Sequence, residues 1–303
     1  TDEVFGFVDV PGHEKFVRNM LAGVGAIDAA ILVVAADDGP MPQTHEHLAI
    51  LDLLGIELGL VAITKTDRVD PERVRQVQQQ VAALLGPTSL HQANSFPVST
   101  VTGEGIAALR EELSALRNRQ LGAVTSGRFR LAIDRQFTIQ GAGLIVTGAV
   151  FSGSVQAGDE LFVAPENTPV RVRGLHIQDQ PAADLAPAKI GDRCALNLAG
   201  LRSQSALPKR GDWLTGTPPL EPTVRIDAAL RVLPTESRAL AHWTPVHLHH
   251  GASSLTARIA TLEGRQIAPG QTALVQLVLD QPTVIVRTDR FIVRDQSATR
   301  TIA

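Results

Sequence analysis

Three short stretches of this sequence carry residue types that could together hold one nucleotide. The first is Asp9-Val10-Pro11-Gly12-His13. A carboxylate at the end of a buried strand sits at the sheet edge where ligands of parallel sheets bind. There Asp9 can hold Mg²⁺, usually through water. Gly12 lets the backbone approach a phosphate closely and offer its N–H. His13 could orient a hydrolytic water. The second stretch is Thr64-Lys65-Thr66-Asp67. The Asp67 carboxylate can accept both N–H groups on the Watson–Crick edge of guanine, a pair of donors that adenine lacks. The Lys65 stem can lie over the base plane. The third is Pro97-Val98-Ser99-Thr100, where a loop N–H and the Ser99 hydroxyl could contact the base oxygen. Taken singly, each has a plainer reading: a strand-to-turn sequence, a charged loop, a Ser/Thr-rich helix cap. Each follows an apolar run, however, and their order is the one a single guanine-nucleotide site needs. Coincidence of all three is much rarer than of any one.

The elements that would position them alternate. Phe5–Asp9, Ala29–Ala36 and Leu58–Thr64 read as buried strands, and residues 14–24, 42–55, 71–85 and 105–117 show helical spacing. Pro71 suits a first helical turn with Asp70 as its N-cap. Strands alternating with helices imply a parallel sheet covered on both faces. From about residue 127 the pattern changes. Arg128–Asp134 and Thr168–Arg173 alternate, and Gly141, Gly143, Gly148, Gly153 and Gly158 fall at turn-like intervals, which suggests an antiparallel barrel or sandwich. Thr217–Pro222 reads as a stiff linker. A second β run follows, with strands near 224–232, 245–250, 255–262, 273–279 and 283–293. The fold expected is therefore α/β followed by all-β, with a partial nucleotide-binding domain at 1–122 and β-barrels at 123–219 and 220–303.

Composition narrows the class. Hydrophobic residues make up 44% and charged residues 19%, a globular profile, and no apolar run approaches the ~18 residues of a membrane span. The lone cysteine, Cys194, excludes an internal disulfide and fits a reducing, cytoplasmic setting. Net charge is −3, which by itself argues against a nucleic-acid binder. The charge is uneven: residues 1–120 hold 9 Lys/Arg against 16 Asp/Glu, and residues 121–303 hold 19 against 15. A mildly basic second part hints at a polyanion partner, although random variation explains a difference of this size equally well. Arg171 and Arg173 share one strand face and could touch phosphates, or simply be solvated. His247, His249 and His250 invite a metal reading. Positions 247 and 249 share a strand face while 250 points away, and no Cys or acidic ligand is adjacent, so a barrel surface near bound RNA is expected.

Asp9–Gly23 resembles the switch II segment of the translational GTPases, and Asp37-Asp38-Gly39-Pro40-Met41-Pro42-Gln43-Thr44-His45-Glu46-His47-Leu48 resembles the loop and helix that follow it. The resemblance covers essentially the whole chain, including two β-barrels as in EF-Tu. Within that group the sequence is most similar to the selenocysteine-specific elongation factors. His13–Phe16, Thr64 in place of the usual Asn, Ile133–Gly143 and Gly191–Asn197 carry that similarity. It implies Asp9 near Mg²⁺, Gly12 at the γ-phosphate, His13 positioning water, and Lys65, Asp67 and Ser99 contacting guanine. Thr64 departs from the general pattern and could loosen the guanine contacts. Such factors must recognise a selenol, which is largely anionic at neutral pH, and an anion pocket calls for arginines. In the family that pocket lies on the first barrel, at positions matched by Asp134, Arg135 and Arg193. Without the resemblance, a local ion pair and a surface cation would be the preferred readings of those three.

The resemblance implies GTP/GDP and Mg²⁺ as ligands of the full-length protein, with selenocysteinyl-tRNA and the ribosome as partners, in a monomer. No G-x-x-x-x-G-K-[ST] phosphate loop occurs in the sequence. The expectation is a fragment. The phosphate loop and switch I would lie upstream, the winged-helix modules that bind a messenger-RNA hairpin downstream, and the second barrel would stop within its final strand. Such a fragment should bind nucleotide poorly and have little GTPase activity. The alternatives are a general aminoacyl-tRNA carrier, an initiation-type GTPase, or a non-catalytic tRNA-binding module made by the barrels.

Overall fold

The structure is a computed structural model that describes residues 6–10, 20, 27–118, 127–177, 186–201 and 207–303. Two compact units emerge: residues 27–122, and residues 1–26 together with 123–303.

In residues 27–122, β1 (Ala30–Ala35), β2 (Gly59–Thr64) and β3 (Asn94–Pro97) form a parallel sheet in the order β1-β2-β3. β2 is central, and its run Gly-Leu-Val-Ala-Ile-Thr is buried almost throughout, as a strand covered on both faces must be. Helix α1 (Pro42–Leu53) follows β1, α2 (Pro71–Leu85) follows β2, and α3 (Ile106–Asn118) follows β3. The start of α2 is encoded as expected: Asp70 takes an extended conformation and its carboxylate accepts the N–H of Arg73 at 2.7 Å, with Pro71 at the first helical position. Val77, Val81 and Leu85, spaced at four residues, are the buried face of α2.

The strand expected over residues 5–9 is not formed at its described residues, 6–9. Residues 6–10 carry no strand, and Phe7 and Val8 are exposed. A strand exists only through its ladder, and among the described strands β1 pairs with β2 alone. The helix expected at 14–24 falls outside the described residues except for Met20, which is helical and buried.

In the other unit, β4 (Arg130–Ile139), β5 (Gly143–Ser152), β7 (Glu160–Ala164), β8 (Thr168–Ile177), β10 (Arg193–Ala199) and β11 (Trp213–Thr215) close a barrel in the order β10-β5-β4-β11-β7-β8. A short ribbon pairs β6 (Ser154–Val155) with β9 (Ala188–Lys189). Leu131, Ile133, Val146, Val150, Leu161, Val172, Leu196 and Leu214 fill the barrel, drawn from every second position of their strands. The second β module is a five-stranded antiparallel sheet, β12-β17-β15-β14-β18: β12 (Thr223–Arg231), β14 (Thr244–His250), β15 (Ser253–Thr261), β17 (Thr272–Thr283) and β18 (Ile292–Arg294). It is accompanied by the ribbon of β13 (Leu240–Ala241) with β16 (Gln266–Ile267).

Two expectations are corrected here. The strand expected over 283–293 is only Ile292–Arg294, because Asp289 ties residues 286–289 into a turn: its carboxylate accepts the Val286 N–H at 3.0 Å and its own N–H donates to the Val286 carbonyl. The expectation that the 247–250 histidines form a barrel surface fails for His249 and His250, which are buried, while His247 is half-buried. His250 stacks on Trp213 of the first barrel, 4.8 Å between ring centroids. Among the described residues no helix is long and apolar enough to cross a membrane.

Candidate functional site

Lys65, Asp67 and Ser99 leave the carboxyl ends of neighbouring parallel strands. The register aligns Ala35 with Thr64 and Ile63 with Pro97, so the loops after β1, β2 and β3 open at one edge of the sheet. After β2 the chain turns sharply: Lys65 takes a left-handed conformation (φ 59°) and Thr66–Arg68 form a single 3₁₀ turn. That turn leaves Asp67 exposed. After β3, Ser99 is fully buried. Its N–H donates to the Glu104 carbonyl and its carbonyl accepts the Gly103 N–H, closing a tight loop. Gly105 makes this closure possible, since a Cβ there would sit 2.0 Å from the Pro97 carbonyl oxygen, and its φ of +73° disfavours any other residue.

The Ser99 hydroxyl donates to one Asp67 carboxylate oxygen at 2.6 Å and accepts the N–H groups of Val101 and Thr102. The bond fixes one oxygen of the Asp67 carboxylate on a residue that is itself exposed. Next to it, the Thr66 hydroxyl is buried without a hydrogen-bond partner. An exposed, fixed carboxylate acceptor fits the edge of a purine carrying adjacent donors. The Lys65 ammonium lies 2.9 Å from the Asp37 carboxylate and 3.5 Å from Asp38. The hydrogen bond with Lys65 holds the Asp37 carboxyl below its usual range and raises the Lys65 ammonium.

Asp9 is exposed and belongs by its contacts to the barrel unit, with which it is described. Gly12 and His13 fall outside the described residues. Mg²⁺ takes one or two carboxylates and several waters, so Asp9 is of the right type to hold it. Among the described residues no group of three His, Cys, Asp or Glu is placed to hold a metal.

On the first barrel, β4 carries an irregularity between Ile133 and Arg135, and Asp134 occupies it. Asp134 forms an ion pair with Arg193 at the start of β10, and its other oxygen accepts the Thr147 hydroxyl at 2.7 Å. Arg193 keeps 38% of its side chain exposed, and Arg135 is exposed on β4. The structure thus joins Asp134 to Arg193. Cys194 next door is buried, and burial pushes its thiol up to about 12, so it stays protonated and unreactive.

In the sequence Asp37 stands out only as part of a resembling segment. The signal that found Asp67, an acid just after a buried strand, applies equally to Asp37. No local signal marks the buried cluster of Arg130, Asp289 and His250, whose members lie up to 159 residues apart.

A family model described as the elongation factor Tu GTP binding domain matches residues 1–118, and one described as the beta-barrel domain of selenocysteine-specific elongation factor matches residues 227–303. The chain is 47% identical over 298 residues to the selenocysteine-specific elongation factor of Escherichia coli (strain K12), covering 98% of this chain and 46% of that protein. It is 31% identical over 336 residues to elongation factor 1-alpha of Methanocella arvoryzae, covering 97% of this chain and 77% of that one. The crystal structure of translation elongation factor SelB from Methanococcus maripaludis, in complex with the GTP analogue GppNHp, matches with a TM-score of 0.83 at 27% identity, over 97% of this chain and 68% of that one. The chain spans about half the length of the selenocysteine-specific relatives it matches. With a parallel sheet that gathers Lys65, Asp67 and Ser99 at one edge, a closed barrel after it, and these similarities along its whole length, the chain belongs to the selenocysteine-specific elongation factor family of translational GTPases.

Proposed function

We propose that these residues form the base-recognising part and the two β modules of a GTP-dependent factor that carries selenocysteinyl-tRNA to the ribosome. The observation that carries the reading is the 2.6 Å hydrogen bond from buried Ser99 to Asp67. It orients a carboxylate so that it can accept the N1–H and 2-amino protons of guanine together, while the Lys65 stem covers the base face. Mg²⁺, when bound, would neutralise phosphate charge, with Asp9 holding it through water; His13 enters as the residue that positions the attacking water. On the barrel, Arg193 and Arg135 supply cationic surface for an anionic selenol, and Asp134 holds Arg193 in place.

The nucleotide reading is tested by titrating labelled GDP. The 303-residue chain, which has no phosphate loop in its sequence, is expected to bind weakly, and the full-length protein tightly. In the full-length protein, Asp67→Asn should weaken guanine nucleotides by about 10²-fold or more, because the site's acceptor pair is lost. The same change should favour xanthine nucleotides, whose 2-oxo group can accept from the asparagine amide. Unchanged guanine preference would remove Asp67 from the account. Competition between selenocysteinyl- and cysteinyl-tRNA tests the barrel site; equal affinity would leave a general aminoacyl-tRNA carrier as the better reading.

A further inference from the structure

We infer that Asp37 is a positioning residue of the base site, holding the Lys65 ammonium so that the lysine stem is set before a nucleotide arrives. This rests on the guanine-site reading above.

Three elements converge to make the arrangement. β1 ends one residue before Ala36, whose N–H donates to the Thr64 carbonyl at 2.8 Å, so the loop that follows starts beside the loop after β2. Asp37 then presents both carboxylate oxygens to the Lys65 ammonium, at 3.0 and 2.9 Å. The Asp38 N–H donates back to the Asp37 carboxylate at 3.0 Å and fixes its orientation. From α2, Arg73 reaches across to the backbone: its Nε donates to the Ala36 carbonyl at 3.2 Å, and its Nη2 lies 3.4 Å from the carbonyls of Asp37 and Asp38. The acid is thus held from two sides.

A lysine has four rotatable bonds, and an unheld one samples many rotamers and loses them when its stem must lie flat on a base. Pinning the ammonium at its far end removes most of that freedom in advance. The left-handed backbone at Lys65 serves the same end, because it turns the side chain toward the β1 loop and away from the direction an extended strand would give. Asp67, two residues on, faces the base edge. One loop therefore offers a platform and an acceptor, and Asp37 governs the platform.

The pair is partly exposed, with side chains 38% and 31% accessible, which limits its strength to that of a surface ion pair. In the full-length protein Asp37→Asn should therefore raise the dissociation rate of labelled GDP about three- to fivefold. Asp37→Glu should restore part of the loss. Asp37→Asn added to Lys65→Ala should change nothing beyond Lys65→Ala alone, because the residue acts only through the lysine. A dissociation rate indifferent to Asp37, or effects of the two substitutions that simply add, would overturn the inference while leaving the guanine site standing. A wild-type protein that binds no guanine nucleotide would overturn both.

Discussion

At the scale of single residues, Asp212 shows how burial acts on a carboxyl group. It precedes β11, and its carboxylate accepts the Lys209 N–H at 2.6 Å. Burial nevertheless pushes it up to about 6, with Glu166 adding to the rise and the Lys209 N–H opposing it. The folded protein thus holds this proton more tightly than an unfolded chain, where the group titrates near 3.8. The stability it contributes is complete below pH 3.8 and is lost as pH rises through about 6. At neutral pH a half-buried charge remains, stabilised by one N–H. Asp212→Asn keeps that acceptor and removes the charge. Urea unfolding at pH 7 should show a gain on the order of 1 kcal/mol, after discounting for partial exposure, with no gain at pH 4. An equal effect at both pH values would assign the change to packing.

At the scale of elements, the first barrel depends on one close approach. Gly148 of β5 pairs with Ile133 of β4, and a Cβ at Gly148 would lie 2.1 Å from the Ala132 carbonyl oxygen and 2.6 Å from Leu131 Cδ2. The first of these neighbours is backbone and cannot swing aside. Gly148→Ala should therefore destabilise the barrel by about 2–3 kcal/mol, read from the chemical-denaturation midpoint, although alanine is ordinarily the easier residue in a strand. The sequence showed the glycine and its turn-like spacing. It did not show that this glycine serves strand contact, because that depends on which strand lies opposite. The same limit explains the rest. β2 and α2 were legible because a continuous apolar run and an Asp-Pro cap act within a few residues. Ser99 and Asp67 were legible as a pair because each follows a strand of a parallel sheet, where topology alone brings the loops together. The strand order of the barrel was not, since β10 lies beside both β5 and β8 and no local pattern encodes the choice. Residues 6–10 differ for the converse reason: Phe7 and Val8 have strand character, but they are exposed and carry no strand, and residue character alone does not make one.

At the largest scale, the two β modules of the barrel unit are joined through a buried charge cluster. Arg130 of β4 makes a bidentate pair with Asp289, at 2.6 and 2.7 Å, and both side chains are at most 8% exposed. His250 of β14 lies 3.0 Å from the same carboxylate, and the Arg130 guanidinium stands 5.3 Å from the Trp213 ring, against which His250 stacks. Ala132, Ala164, Trp213, Ala252 and Val284 pack around it, with Phe151 edge-on to Trp213. Burial alone would raise the Asp289 carboxyl; the hydrogen bonds from His250 and Arg130 outweigh it and hold the group far below its usual range. Its contribution is therefore present above the unfolded value near 3.8 and is lost only as pH falls well below it. A buried pair owes much of its apparent strength to the harm done when one partner is left alone. Asp289→Ala, which strands Arg130 in an apolar setting, should lower stability by about 3–5 kcal/mol, whereas Arg130→Met with Asp289→Leu should recover most of that loss. Unfolding followed by Trp213 fluorescence, in a Trp243→Phe background, reports on this junction directly because the indole lies inside it. If the double replacement were as damaging as the single one, the charges themselves, rather than the space they fill, would be what holds the modules together.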